Sequence, residues 1–171
     1  MKICVIGYSG SGKSTLASKL ANIYNVPVLY LDKIQFLPGW VDRNEEEAKN
    51  IIKEFLDNNP NGWIIDGNYF KRYLEERTSQ ADKIIFLNFN RFSCFYRALK
   101  RSITFKGKTR ESMTPGCDEK FDFSFMKWIL FEGRTNSRID IYKGIKEKYK
   151  DKFIELKNQK EIDEYLNSII K

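Results

Sequence analysis

The sequence contains no histidine among its 171 residues. That absence excludes histidine-ligated zinc sites, Ser-His-Asp triads and imidazole general bases. Cysteine is scarce. Cys4, Cys94 and Cys117 are an odd number at wide spacing, which argues against a disulfide framework and predicts a reducing, cytoplasmic setting. Cys4 falls in a core strand and Cys94 in a helix, so Cys117, in a loop, is the one expected to be reactive. No apolar run approaches the roughly 18 residues a spanning helix needs. The short run Ile3–Ile6 before Gly7 is too brief for a secretory signal. With 42% hydrophobic and 31% charged residues, the chain is neither disorder-like nor membrane-like. Its length suits one domain, residues 1–171, with a buried core. Internal repeats and low-complexity tracts are missing as well.

What is present begins with charge, and its position matters more than its sum. The net charge is +7, yet Lys83, Arg91, Arg97, Lys100, Arg101, Lys106, Lys108 and Arg110 follow one another with no acid between them. That segment supplies +8 and the rest of the chain sums to −1. A concentrated anion-binding element explains this better than a generally basic surface.

Apolar periodicity alternates between strand and helix. Strands are expected at Lys2–Gly7, Val28–Leu31, Trp63–Ile65, Lys83–Phe89 and Phe153–Lys157. Helices are expected at Lys13–Asn25, Asn44 to about Asp57, Phe70–Thr78, Arg91–Phe105, most of Phe121–Lys150 (with a break at Gly133 or Gly144), and a closing helix after Asn158. Asn44 with Glu47, and Asn158 with Glu161, have the spacing of capping boxes. Residues 33–43 and 106–120 read as irregular. This alternation predicts an α/β domain of three layers, a mostly parallel sheet between helices, with ligands bound at the carboxyl ends of its strands. Gly7, Asp32 and Asp66 all fall at such ends.

Gly7 to Ser14 match G-x-x-x-x-G-K-[ST] between an apolar strand and a helix, the context the motif requires. The glycines let backbone N–H groups wrap a phosphate, and the helix start adds its positive dipole end. Gly7, Ser9, Gly10, Ser11, Gly12, Lys13, Ser14 and Thr15 are therefore expected to hold the phosphates of ATP. Lys13 would reach the β- and γ-phosphates, and Ser14 would ligate Mg²⁺.

No N-K-x-D-like guanine-reading motif occurs. Ring ATPases and helicases usually need a longer chain, so the size and the internal basic segment favour a small-molecule kinase with a closing lid at about 106–120. Asp66, ending the third strand, reads as a second Mg²⁺ residue or, alternatively, as the start of a turn. Asp32 reads as the residue that positions or deprotonates an acceptor hydroxyl, or as a cap. Phe36, Trp40 and Tyr69 read as an acceptor-pocket wall or as core.

Within Arg91–Phe105, Phe92, Phe95, Leu99 and Ile103 form an apolar stripe, expected to pack, with Arg97 and Arg101 together on the opposite side. Arg97 and Arg101, joined by Arg134 and Arg138 at the same spacing further on, are expected to neutralise the transferring charge. Contact with a DNA backbone is the competing use of this basic segment, and a slow ATPase without acceptor is a third reading.

Four stretches, GYSGSGKSTLA, VLYLDKIQFLPGW, GWIIDGNYF and TRESMTPGCDEKFDFSFMKWILFEGR, resemble the bacterial topology modulation proteins, relatives of adenylate kinase. The resemblance spans about residues 1–140 and is carried most specifically by D-G-N-Y and M-x-P-G-C-x-E-K. It implies a P-loop fold of nucleoside monophosphate kinase type with strand order 2-3-1-4-5. It also implies that Lys13 and Ser14 serve phosphate and Mg²⁺, and that Arg97 and Arg101 match the arginine pair preceding the lid of adenylate kinases. The family name suggests an effect on DNA supercoiling, but the sequence has no strand-cleaving tyrosine site or DNA-reading module. Tyr30 stands where that family often has histidine. Asp66–Tyr69 replaces the D-G-F-P-R of adenylate kinases, and the AMP-binding motif has no counterpart, which argues against AMP as acceptor. The expected partners are ATP and a small hydroxylated acceptor, with no membrane, for a monomer or homodimer.

Overall fold

The computed structural model describes residues 1–71, 73–119 and 121–170. Arg72, inside the expected helix 70–78, and Lys120, last residue of the expected lid, lie outside the described residues.

Five parallel strands form the central sheet: β1 (Lys2–Gly7), β2 (Val28–Tyr30), β3 (Trp63–Asp66), β4 (Lys83–Leu87) and β5 (Phe153–Leu156). Their spatial order is β2-β3-β1-β4-β5, as the resemblance implies. Because helices cover both faces of such a sheet, its strands are apolar throughout rather than alternating. Ile3, Cys4, Val5, Ile6, Ile64, Ile65, Ile84 and Ile85 are all fully buried. Each side chain of this kind contributes roughly 1.5–3 kcal/mol by leaving water. The register sets Tyr30 beside Asp66, Asp66 beside Val5 and Gly7 beside Leu87, so the loops after β2, β3 and β1 emerge along one sheet edge.

The helices are α1 (Lys13–Tyr24), α2 (Leu31–Gln35), α3 (Glu45–Asn58), α4 (Leu74–Gln80), α5 (Arg91–Thr104), α6 (Phe123–Leu130), α7 (Asn136–Lys148) and α8 (Gln159–Ile170). Leu16 and Leu20 of α1, Ile52 and Leu56 of α3, and Ile162 and Leu166 of α8 are buried at the spacing that seals a helix against a sheet. Asn158 caps as expected, its Oδ1 accepting the Glu161 N–H at 3.0 Å, while the Glu161 side chain accepts from the Lys157 N–H at 2.6 Å and from Asn158 Nδ2 at 2.7 Å rather than from the Asn158 N–H. Asn44 accepts the N–H groups of Glu46 and Glu47, at 2.9 and 3.3 Å, but the Glu47 side chain turns to Arg43.

Several sequence expectations are corrected. Strand β2 ends at Tyr30, and Leu31–Gln35 turns helical, so Asp32 sits in a helix's first turn rather than at a strand end. The stretch after it pairs Phe36–Leu37 with Val41–Asp42 in a short hairpin. Helix α4 begins at Leu74 because Tyr69 and Tyr73 take left-handed backbone, φ 26° and 49°, which a helix does not admit. The break expected within 121–150 is found, at Phe131–Thr135 around Gly133, while Gly144 stays helical. Cys117 is buried and donates its S–H to Leu37 O at 3.2 Å, so it is not the reactive thiol its loop position suggested.

The largest correction is the orientation of α5. Three of its four stripe residues face outward: Phe92, Leu99 and Ile103 are exposed, as is Tyr96 beside them, while Phe95 packs as expected, meeting Phe121 edge to face at 5.4 Å. The face that packs carries Cys94 and Ala98. Small residues there let α5 lie directly on the loop after β1. Gly10, at φ 81°, touches the helix so closely that a Cβ would collide with the Cys94 carbonyl and sit 3.4 Å from Ala98 Cβ. Burying the small face therefore turns the arginines inward.

Candidate active site

A cavity of about 1500 Å³ opens at the carboxyl edge of the sheet. On its floor is the loop from Gly7 to Ser14. The Lys13 ammonium folds back to donate to Tyr8 O at 3.1 Å, and Ser14 Oγ donates to Asp66 Oδ2 at 2.6 Å. Ser9 Oγ accepts from the Trp128 indole N–H at 3.1 Å, which ties the loop to α6.

Asp66 is almost fully buried. Burial pushes its carboxyl up to about 6, against the opposing pull of Lys13 and of the Ser14 hydrogen bond. Its second oxygen, Oδ1, has no hydrogen-bond donor among the described residues. A buried carboxylate oxygen without a partner costs roughly 1–3 kcal/mol. A divalent cation beside Ser14 would satisfy it, so these two oxygens fit the Mg²⁺ of a bound nucleotide. Groups of three or more His, Cys, Asp or Glu residues able to hold a metal are absent among the described residues, and Mg²⁺ characteristically draws its other ligands from phosphate and water.

The turn after β3 does more than start with Asp66. Asn68 grips the first glycine of the phosphate loop from both sides: its Oδ1 accepts the Gly7 N–H at 3.0 Å and its Nδ2 donates to Gly7 O at 2.9 Å. The turn is fixed from below by Arg77, fully buried, whose guanidinium donates to Gly67 O at 2.8 Å and to Asn68 O. The Tyr69 hydroxyl donates to Asp32 Oδ1 at 2.7 Å. One turn thus connects the phosphate loop, Asp66 and Asp32.

Asp32, Gln35, Phe36, Trp40 and Tyr69 line the same cavity, and Phe36 and Trp40 meet edge to face at 5.2 Å. Over them lies the segment after α5. It is pinned where Thr114 Oγ1 donates to Phe36 O at 2.6 Å and the Gly39 N–H donates to Gly116 O at 3.2 Å.

Of the four arginines expected at the site, three line the cavity. Arg97 lies against Gly12, stacks over Phe89 at 5.1 Å and donates to Gln159 at 3.1 Å. Arg101 pairs with Glu119 at 2.6 Å, and Arg138 stacks over Trp128 at 4.4 Å. Arg134 is not brought to the cavity. It lies 3.6 Å over the Tyr8 ring and donates to Phe89 O at 2.8 Å and to Cys94 Sγ at 3.3 Å, beneath the loop rather than above it. Ser9, Gly10, Gly12, Lys13, Ser14 and Thr15 also line the cavity, while Gly7 and Ser11, expected there too, are buried and do not.

Sequence reading missed Asn68, Arg77, Glu119 and Trp128, while Arg110 belongs to the basic segment expected to bind anions and lines the cavity. Asn68 and Glu119 lie inside the D-G-N-Y and M-x-P-G-C-x-E-K stretches, where the signal was present but its role was not. Arg77 has no local signal, because its burial is a tertiary fact.

A glycine cradle at a strand–helix junction, facing a carboxylate on the neighbouring parallel strand, defines a P-loop nucleotide-binding domain. The chain belongs to the family described as ATPase family associated with various cellular activities (AAA), whose family model matches residues 3–88. That match ends ahead of α5 and the segment over the cavity. No curated protein sequence matches the chain.

Solved structures share the fold across 99% of this chain. A shikimate kinase from Bacteroides thetaiotaomicron is 19% identical, with TM-score 0.52 over 95% of its own chain. A gluconokinase from Sinorhizobium meliloti 1021 is 15% identical, with TM-score 0.54 over 89% of its chain. An uncharacterized protein from Eubacterium ventriosum ATCC 27560 is 22% identical, with TM-score 0.54 over 96% of its chain.

Proposed function

We propose that the protein is an ATP- and Mg²⁺-dependent phosphotransferase acting on a small hydroxylated acceptor. One observation carries this reading: the cavity of about 1500 Å³ runs from the phosphate loop to Asp32, Phe36, Trp40 and Tyr69. A pocket for a single small ligand is about 300–1,000 Å³, so there is room for a nucleotide and a second molecule. Simple hydrolysis needs no such compartment.

In this reading the loop amides and Lys13 hold the phosphates, and Ser14 and Asp66 hold the cation. Bound Mg²⁺ neutralises phosphate charge as it develops. Asp32, fixed by Tyr69, orients the acceptor hydroxyl. The bond from the γ-phosphorus to the ADP oxygen breaks as the bond to the acceptor oxygen forms, and the acceptor proton passes to Asp32. Positioning contributes most of such a reaction, so an ordinary aspartate suffices.

The inward turn of Arg97 and Arg101 supports a small-molecule site over contact with a DNA backbone. The segments that resemble topology modulation proteins also build this site, since the D-G-N-Y turn grips Gly7 and residues of the M-x-P-G-C-x-E segment line the cavity. The experiment is transfer of labelled γ-phosphate from ATP·Mg²⁺ to a pooled panel of nucleotides, nucleosides and small alcohols, with Lys13→Ala as control. A labelled product lost in Lys13→Ala is the expected result. ATP hydrolysis that no acceptor accelerates would overturn the reading in favour of an ATPase, and DNA binding that persists at physiological salt would favour the DNA reading.

A further inference from the structure

A buried carboxylate stands between two arginines above the phosphate loop. The Glu119 side chain is 3% exposed. Its Oε1 accepts from Arg101 Nε at 2.7 Å and lies 2.6 Å from Arg101 Nη2, while its Oε2 accepts from Arg110 Nε at 2.6 Å. Arg110 Nη1 donates on to Ser112 Oγ at 3.1 Å. Among the described residues, Arg101 Nη1 and Arg110 Nη2 find no acceptor, and all three residues line the cavity.

The surrounding charges show where this trio acts. Arg110 is felt by Asp66, and Asp32 is felt by both Asp66 and Arg101. The two guanidiniums therefore belong to the same electrostatic neighbourhood as the cation residue and the acceptor residue. They also repel each other. Burial, and next to it Arg110, holds the Arg101 guanidinium below its ordinary range. Only the carboxylate between them makes the pair tenable. Glu119 holds one side of each fork and leaves Arg101 Nη1 and Arg110 Nη2 available to an anion in the cavity. Its backbone is fixed too, with its N–H donating to Lys108 O at 3.3 Å and a bridge to Lys106.

We propose that Glu119 is a positioning residue that holds Arg101 and Arg110 as a pair for the transferring phosphoryl group, and that Arg110 is a further catalytic residue. The pair and its carboxylate carry a net +1. That matches a phosphoryl group whose charge spreads over three oxygens, without the full repulsion of two bare cations. The inference rests on the phosphotransfer reading and adds to it the residues that meet the group in flight.

The test needs no knowledge of the acceptor. ADP·Mg²⁺ binding is measured with and without aluminium fluoride, a stand-in for the transferring phosphoryl group. The wild-type protein should bind ADP about a hundredfold more tightly with the fluoride, since transition-state mimics gain at least that much. Glu119→Gln keeps one acceptor for Arg101 but turns an amide N–H₂ toward Arg110. It should bind ADP alone within about threefold of wild type and lose most of the fluoride gain, the scale of loss seen when one stabilising donor is removed. Arg110→Lys, which keeps charge but loses the fork, should behave the same way. If Glu119→Gln does not fold, Glu119→Asp keeps the charge one methylene short and should lose part of the gain.

A fluoride gain retained in Glu119→Gln or Arg110→Lys overturns the proposal and leaves the phosphotransfer reading standing. ADP affinity and thermal midpoint falling together in Glu119→Gln also overturn it, by showing that the glutamate only holds the segment. Absence of any fluoride gain in the wild-type protein would refute the phosphotransfer reading itself, and the proposal with it.

Discussion

Replacing Asn68 by alanine tests whether the turn after β3 shapes the phosphate loop. The side chain makes two bonds to one residue, accepting the Gly7 N–H at 3.0 Å and donating to Gly7 O at 2.9 Å. Alanine removes both partners and leaves two backbone groups in a half-buried place that water enters poorly. A lost neutral hydrogen bond costs roughly 1 kcal/mol net, and a stranded buried group roughly 1–3 kcal/mol. The pair therefore predicts a loss of about 2–4 kcal/mol. In a domain of this size, 1 kcal/mol moves the thermal midpoint by about 2–4 °C, so the variant should melt about 5–15 °C lower. Nucleotide affinity should fall as well, by about tenfold for each 1.4 kcal/mol of lost preorganisation. Differential scanning calorimetry and ADP titration measure the two effects. Asn68→Asp sharpens the test, because its second oxygen would face Gly7 O with no proton to offer and would add negative charge near the phosphates. A midpoint within 1 °C of wild type together with unchanged ADP affinity would refute the reasoning, for it would show that the loop holds its shape unaided.

Asp66 makes the stability of the nucleotide-free protein depend on pH. Its carboxyl is raised from 3.8 to about 6 by burial, so the folded state binds the proton more tightly than the unfolded one, and stability falls as pH rises from about 4 to about 6. The contribution lost is at most about 3 kcal/mol, and unfolding in the presence of chelator should show that slope in wild type and not in Asp66→Asn. Phe92→Ser with Ile103→Ser should change stability by only about 0.5 kcal/mol, because both side chains lie in solvent; a loss above about 2 kcal/mol in denaturant titration would mean that α5 packs the other way. Arg134→Ala should lower stability by about 1–3 kcal/mol through the Tyr8 stack and the Phe89 bond, with any loss of ADP affinity no larger than the loss of stability accounts for.

Much of the fold was legible because it is written locally. The unbroken apolar run of β1 between Lys2 and the glycine loop, and the leucine spacing of α1, each specify an element by short-range pattern. Asn44 and Asn158 mark helix starts by a bond that forms within one turn. The α5 orientation was not legible, since hydrophobicity alone chose the wrong face. What decides it is close approach: Cys94 and Ala98 are small enough for the helix to meet Gly10, and that contact lies more than eighty residues away in sequence. Arg77 and Glu119 were hidden differently, since their partners lie only nine to eighteen residues away but are reached through turns that carry no helical or strand period. The phosphate loop and Asp66 were readable, because motif and strand-end position identify them without knowledge of packing, whereas Asp32 lines the cavity from the first turn of a helix and not from the strand end expected of it. Arg134 was misjudged for the converse reason. Spacing matched it to Arg138, but the break at Phe131–Thr135 sends the two arginines to different sides of the loop.

The seat of α5 on Gly10 couples two parts of the molecule mechanically. A helix of fourteen residues spans about 21 Å; it rests on the nucleotide loop at Cys94 and Ala98 and carries the Arg101–Glu119 junction one to two turns further along. It behaves as a stiff lever with a one-residue fulcrum. Because the contact is already tight, a displacement of the loop by a fraction of an ångström is expected to move the helix with it rather than be absorbed between them. Adding one methyl at the fulcrum, as in Gly10→Ala, would tilt the rod and so detune the far end without touching a single residue there.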